Sequence, residues 1–291
     1  MTVSVLELFA GIGGCAVALG PRGRVVAAVD HDEAASQVYA DLHGHAAIRH
    51  NLHYAKPAWF AQFDADLWWM SPPCQPYTVR GARRDLDDRR SDALKRVVQA
   101  VQELRPTALV LENVPGFAGS DSEALLTSAL DACGYETHAG LLCPTALGHP
   151  AQRQRYYVAA RLGGLLPVPA AAPAEPVALA SWIDPFDDAY AVPPDLLERF
   201  GDAFHVVDLD DPYAIAACFT GAYGKSPVYA GSYLKQDGRL RWWTPDEILR
   251  SLGFPRTMRV SRELSRAKRY KLVGNSLSIP AVRQVLGRVV G

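Results

Sequence analysis

Strand-length apolar runs alternate with stretches of helical period through the first 160 residues. Residues 3–8, 25–29, 67–70, 108–111 and 156–160 read as strands and residues 33–42, 93–104 and 123–132 as helices, the last with Ser120 and Glu123 as a capping box. Strands joined through a helix run parallel, so the alternation predicts an α/β sheet of βαβ units. The pattern breaks where Pro167, Pro169, Pro173 and Pro176 crowd among alanines, a composition that favours neither ladder nor helix and reads as a linker over residues 164–176. Beyond it the chain is irregular and acidic until Thr244-Pro245-Asp246-Glu247, which combines a capping box with proline at the first helical position. A final amphipathic segment, residues 279–289, starts from a Ser278 cap.

Length and composition leave this picture intact: 291 residues with 49% hydrophobic content suit one large soluble domain and a smaller one. No apolar run reaches the ~18 residues of a membrane span and no basic leader opens the chain, so a cytoplasmic protein is expected. Cys15, Cys74, Cys133, Cys143 and Cys218 show neither C-x-x-C spacing nor a histidine pattern, which argues against a metal site and a disulfide framework. Charge does change the picture. The net value is −1, yet residues 256–271 carry seven basic side chains against Glu263, a segregation expected of a surface that meets phosphates.

Candidate chemistry gathers at the predicted strand ends. Leu6-Glu7-Leu8-Phe9-Ala10-Gly11-Ile12-Gly13-Gly14 is a strand entering a glycine turn, and Asp30 ends the next strand, as a nucleotide-type cofactor requires. These residues also satisfy a dinucleotide fingerprint, so a NAD-dependent enzyme stays open on them alone. Ser71-Pro72-Pro73-Cys74-Gln75-Pro76 follows a buried run directly, and two prolines stiffen a loop that carries a thiol. Glu112-Asn113-Val114-Pro115, Gln152-Arg153-Gln154-Arg155 and Gly274-Asn275-Ser276 complete the set.

Taken together in this order, these motifs resemble the cytosine-5 methyltransferase family over nearly the whole chain. The resemblance implies a doubly wound, mostly parallel, Rossmann-like fold. Residues 1–163, completed by 261–291, would form the catalytic and cofactor domain, and residues 177–260 a small nucleic-acid recognition domain. It implies S-adenosylmethionine as cofactor, held by Phe9, Gly11, Gly13, Asp30, His31, Asn51, Pro73, Asn275 and Leu277, with Asn51 standing where many relatives have an acid. Cys74 would attack carbon 6 of cytosine, Glu112 would bind the ring N3 and exocyclic amine, and Arg153 and Arg155 would place positive charge near the base.

The second half bears on the substrate. Cys218-Phe219-Thr220 followed by Tyr223 is similar to the signature of the branch that methylates the anticodon loop of tRNA(Asp), although Gly221 replaces a lysine often found there. Cys218, Thr220, Tyr223, Lys268 and Arg269 are the expected nucleic-acid contacts. A short, acidic second domain offers little for major-groove readout of DNA, whereas an RNA loop can be recognised by shape and stacking. tRNA is therefore the favoured substrate. A restriction-type DNA methyltransferase and a catalytically silent nucleic-acid-binding homologue are the alternatives.

Overall fold

The structure, a computed structural model, describes residues 2–78, 84–167, 178–211 and 213–291. The expected linker lies outside the described residues from position 168 to its end. Contacts divide the chain into two units, one of Met1–Leu142, Gln154–Ala170 and Ala281–Gly291, the other of Cys143–Arg153 and Ala171–Pro280. Residues 143–153 and 261–280 thus cluster with the second unit.

The first unit is built on β1 (Val3–Leu8), α1 (Gly14–Leu19), β2 (Gly23–Asp30), α2 (Glu33–His43), β3 (Ile48–Arg49), α3 (Pro57–Ala61), β4 (Leu67–Met70), α4 (Asp92–Leu104), β5 (Ala108–Asn113), α5 (Asp121–Ala132), β6 (Glu136–Leu142) and β7 (Arg155–Arg161). Its sheet has the order β3-β2-β1-β4-β5-β7-β6, parallel from β3 to β5, with β7 antiparallel to both β5 and β6. The α/β expectation holds for each predicted strand. Central strands β4 and β5 are buried at every position, as strands covered on both faces must be. Edge strand β6 has mostly exposed residues, and that is why no apolar run announces it. The Ser120 cap forms from Glu123 N (3.1 Å), but the Glu123 carboxylate reaches back to Gly119 N (2.6 Å), one residue earlier than a capping box requires.

Strand order reverses between β1 and β4. At such a switch point the loops leaving the two strands diverge and open a crevice at the carboxyl edge of the sheet. The glycine turn leaves β1 and the Pro-Pro-Cys loop leaves β4, so both candidate motifs border that crevice. Because β7 runs antiparallel, its first residue, Arg155, falls at the same edge, where Asn113 and Glu112 on β5 face Tyr156 and Tyr157.

The second unit contains α6 (Pro194–Phe200), β8 (Val206–Asp208), β9 (Tyr233–Gln236), β10 (Arg239–Trp242), α7 (Pro245–Ser251) and α8 (Arg266–Gly274), and the chain ends with α9 (Ile279–Leu286). Its three strands pair in the order β10-β9-β8. Asp237 and Gly238, both at positive φ (51° and 70°), make the tight turn from β9 to β10. The capping box of α7 forms in full, Thr244 with Glu247. Glu247 also pairs with Arg241 at 2.7 Å, both side chains fully buried, a charge pair that depends on each partner for its solvation. Helix α9 stops three residues short of the expected end.

Candidate active site

Cys74 sits at the head of a 3-10 turn, Gln75–Tyr77, whose last amide returns to the Cys74 carbonyl at 2.9 Å. The loop is tied down from two sides. Ser71 N donates to Leu8 O on β1 (3.3 Å), and Asn113 Nδ2 donates to Pro72 O (3.1 Å), so β5 holds the prolines that precede the thiol. A Cβ on Gly116 would stand 2.3 Å from Tyr77 O, which shows how closely the Val114-Pro115-Gly116 turn presses on the far end of the same loop. Tyr77 then anchors through its hydroxyl to Ser122 Oγ at 2.9 Å. The sulfur is half-buried on a loop fixed at both ends.

Glu112, 7% exposed, is the penultimate residue of β5, and Arg155 Nε lies 3.2 Å from its Oε1. The pair brings together two of the expected catalytic residues at the strand edge that also carries Cys74. A further cation was not anticipated. Arg90 is held by Asp88 through Nε (2.9 Å) and Nη2 (2.7 Å) and is in electrostatic reach of Cys74. Hydrogen bonding from Arg90 holds the Asp88 carboxyl down at about 2, and the same hydrogen bonds raise the affinity of Arg90 for its proton. In sequence Arg90 stands among interspersed aspartates and looks like a locally neutralised surface charge.

The glycine turn is strained where it should meet a ligand. Phe9 (φ 55°), Gly11 (φ 55°) and Gly13 (φ 83°) adopt left-handed backbone, and the Phe9 ring packs on the core. Asp30 accepts from Gly11 N through Oδ2 and from Asp32 N through Oδ1, both at 2.8 Å, so it fixes the turn while each oxygen keeps acceptor capacity. His31 is largely exposed beside it, its Nδ1 3.6 Å from Asp30 Oδ1. Asn51 Oδ1 accepts from His53 N at 3.1 Å, so the amide oxygen of this expected cofactor residue already caps the turn that follows.

Beneath the turn lies a buried acid that sequence reasoning passed over. Glu7 accepts from Cys15 N (3.0 Å) and from Tyr39 Oη (3.2 Å) and has no exposed surface. Burial pushes its carboxyl up to about 8. His43, whose Nε2 lies 3.2 Å from Ile12 O, packs tilted against Tyr39 with ring centroids 4.4 Å apart, and burial lowers its affinity for a proton. A Cβ on Gly13 would fall 2.0 Å from His43 Nε2. The turn therefore needs glycine for close approach as well as for φ.

Arg153 belongs to the second unit, and its surroundings differ from those of Arg155. Its Nη1 donates to Phe219 O and Gly274 O, both at 3.2 Å, Nη2 donates to Gly274 O (3.3 Å) and to Ser276 O, and Nη1 lies 3.9 Å from Cys218 Sγ. Thr220 stands half-buried in the same segment, its N bonded to Ala230 O. Tyr223 is a correction. It was expected at a nucleic-acid surface, but it is 2% exposed, with its hydroxyl donating to Ser232 O (2.7 Å) and accepting from Trp243 N (3.0 Å), because its ring completes the core with Phe219 and Tyr270. Lys268 is exposed on α8, and Arg269 is half-buried with Nη2 3.4 Å from Tyr190 Oη. Asn275 caps α8 and lies over Gly221, and Leu277 is buried. Among the described residues no cluster of metal-ligating side chains occurs, and no helix is long and apolar enough to cross a membrane.

A family model described as C-5 cytosine-specific DNA methylase matches residues 3–180. The tRNA (cytosine(38)-C(5))-methyltransferase of Schizosaccharomyces pombe is 30% identical, the match covering 97% of this chain and 95% of that protein. A DNA (cytosine-5)-methyltransferase of Dictyostelium discoideum is 25% identical over 97% of this chain and 93% of its own length. Among solved structures, the Entamoeba histolytica methyltransferase EhMeth superposes with a TM-score of 0.92 at 25% identity, covering 98% of this chain and 97% of that one.

Proposed function

The chain belongs to the C-5 cytosine-specific methylase family, and on that premise we propose that it transfers a methyl group from S-adenosylmethionine to carbon 5 of a cytosine in tRNA. The observation that carries the chemistry is the clamped Cys74 loop at the same sheet edge as the Glu112–Arg155 pair. The tRNA assignment is supported by full-length similarity to the tRNA-methylating enzyme of Schizosaccharomyces pombe and by the Cys218-Phe219-Thr220 segment.

The residues at the β1 and β2 ends fit the cofactor. Gly11 has open space where a side chain would stand, and the Asp30 carboxylate retains lone pairs for a ribose diol. When bound, S-adenosylmethionine supplies an electrophilic methyl group on a sulfonium. Phe9 and Gly11 would border it, Asp30 would accept from the ribose, and His31 and Asn51 would lie beside the adenine.

Carbon 5 of cytosine is a poor nucleophile until electron density is pushed onto it. The Cys74 thiolate adds to carbon 6, breaking the 5,6 double bond and placing a carbanion equivalent at carbon 5. Glu112, carrying a proton on one oxygen, stabilises this state by donating to N3 and accepting from the exocyclic amine, with Arg155 beside its Oε1 edge. Arg90 favours the thiolate over the thiol. After carbon 5 is methylated, loss of its proton restores the double bond and expels the Cys74 sulfur. Arg153 acts through structure, tying the segments of Phe219, Gly274 and Ser276 together.

Incubation with S-adenosylmethionine labelled in its methyl group, and with separate pools of unmodified tRNA and duplex DNA, tests the assignment. Label is expected in tRNA cytosine. Label in duplex DNA alone would overturn the tRNA reading and favour the DNA methyltransferase.

A further inference from the structure

Among the described residues, two aromatic side chains stand on left-handed backbone, Phe9 in the cofactor turn and Tyr229 (φ 60°) in the second unit. A residue with a Cβ adopts that conformation at an energetic cost, and positions where the cost persists tend to be functional. Tyr229 is 76% exposed, so burial of its ring does not repay the strain.

The loop that carries it is well anchored. Thr220 N donates to Ala230 O (2.9 Å), Tyr233 Oη to Pro227 O (2.8 Å) and Ser226 Oγ to Val228 O (2.9 Å), bonds that fix the backbone on both sides of the exposed ring. Its beginning rests on α8. A Cβ on Gly274 would lie 2.2 Å from Thr220 O, and one on Gly224 would lie 2.5 Å from the Tyr270 ring, so loop and helix touch backbone to backbone and backbone to ring. Helix α8 carries Arg266, Lys268, Arg269 and Lys271 and no acid. Arg266 donates to Ala189 O and lies over the Tyr190 and Trp242 rings, and Lys268, Lys271 and, in the loop, Lys225 are solvent-exposed. A rigidly presented aromatic face on a loop seated against a cationic helix is the combination that binds unpaired nucleotides, the ring stacking on a base and the ammonium groups meeting phosphates.

We propose that Tyr229 is a stacking platform for an unpaired RNA base other than the cytosine that is methylated, with the lysines of α8 on the adjoining phosphates. The inference rests on the tRNA reading above and specifies how the second unit engages a loop. A duplex offers no such base, so the platform favours RNA loops over double-stranded DNA.

The left-handed backbone supplies a clean control. Tyr229→Gly removes the ring and relieves the strained φ, so the variant is expected to keep or raise the thermal midpoint of the wild type. Its affinity for a fluorescein-labelled, unmodified tRNA transcript, measured by anisotropy, is expected to fall roughly tenfold, the scale of losing one stacked base. Tyr229→Trp is expected to restore binding. Lys268→Gln with Lys271→Gln should flatten the salt dependence of binding, which Tyr229→Gly should leave alone. Binding by Tyr229→Gly within twofold of wild type, with tRNA methylation intact, would overturn the stacking role and leave the tRNA reading standing. Failure of Tyr229→Trp to restore binding would overturn it equally. Methylation of duplex DNA and not tRNA by the wild type would overturn the tRNA reading itself, and the platform with it.

Discussion

Arg153 and Arg155 stand two residues apart in one motif, yet they serve two chemically different regions. Arg155 meets a carboxylate, Glu112, at the strand edge of the first unit. Arg153 meets backbone carbonyls of Phe219, Gly274 and Ser276 in the second. A guanidinium on a carboxylate sets charge and orientation where charge changes during reaction. A guanidinium on several buried carbonyls, contributed by segments far apart in sequence, satisfies acceptors and ties those segments together. On the proposed mechanism, a motif with two arginines divides its work, one for chemistry and one for architecture.

The strongest test removes the reacting atom from the first region. Cys74→Ala should abolish methyl transfer, a loss of at least about 10³-fold on the scale seen when a nucleophile is deleted, while the denaturation midpoint barely moves because the thiol is only half-buried. A stable variant that still methylates would break the assignment of chemistry to this edge.

Substituting the two arginines separately sharpens the contrast. Arg153→Met removes the guanidinium donor from several buried carbonyls and should lower stability in urea by about 3 kcal/mol. Arg155→Met should lower kcat/KM by about 10²-fold, the scale of one positioned polar group, and Glu112→Gln alongside it should restore stability lost with the pair but not activity. Equal effects of both variants on both readouts would erase the distinction.

Glu7 probes the support under the cofactor turn. Its folded carboxyl ionises near pH 8 against an ordinary value near 4.5. Below pH 4.5 it is protonated in both folded and unfolded chains, and its contribution to stability is fully present. As pH rises from there the unfolded chain loses its proton first, so the contribution to stability is lost progressively up to about pH 8, by an amount on the order of a few kcal/mol. Glu7→Gln can accept from Cys15 N and donate to Tyr39 Oη, and the slope of stability against pH in that window should flatten. An unchanged slope would place the titration elsewhere.

Arg90 carries the smallest effect. Arg90→Gln should shift the rise of activity with pH to higher pH and reduce the neutral-pH rate by a few-fold, since an exposed cation is screened by solvent and partly offset by Asp88. The profile of kcat/KM against pH reads this directly.

Much of this was legible in sequence because the signals are local. Alternating apolar runs marked the buried strands, and β4 ends where its apolar run ends. Cys74, Glu112 and the glycine turn declared themselves as reactive or permissive residues directly after such strands. Strand β6 escaped because an edge strand with exposed residues carries no hydrophobic period. Arg90 escaped because its neighbours in sequence are acids, and only folding decides which of its surroundings it meets. Tyr223 was misplaced for the opposite reason, since an aromatic in a polar segment can be core or surface and composition does not say which.

The α/β character, the family and the strand-end placement of the candidate motifs are written in periodicity and in residue types at short spacing. Tertiary structure decided the rest. It placed the glycine turn and the cysteine loop at one switch point of the sheet, gave Arg153 and Arg155 separate partners, buried Glu7 beneath the turn and exposed Tyr229 on strained backbone. The reason is physical: charge pairing, desolvation and exposure depend on what lies across space, and contacts between residues tens of positions apart exist only once the chain has closed on itself.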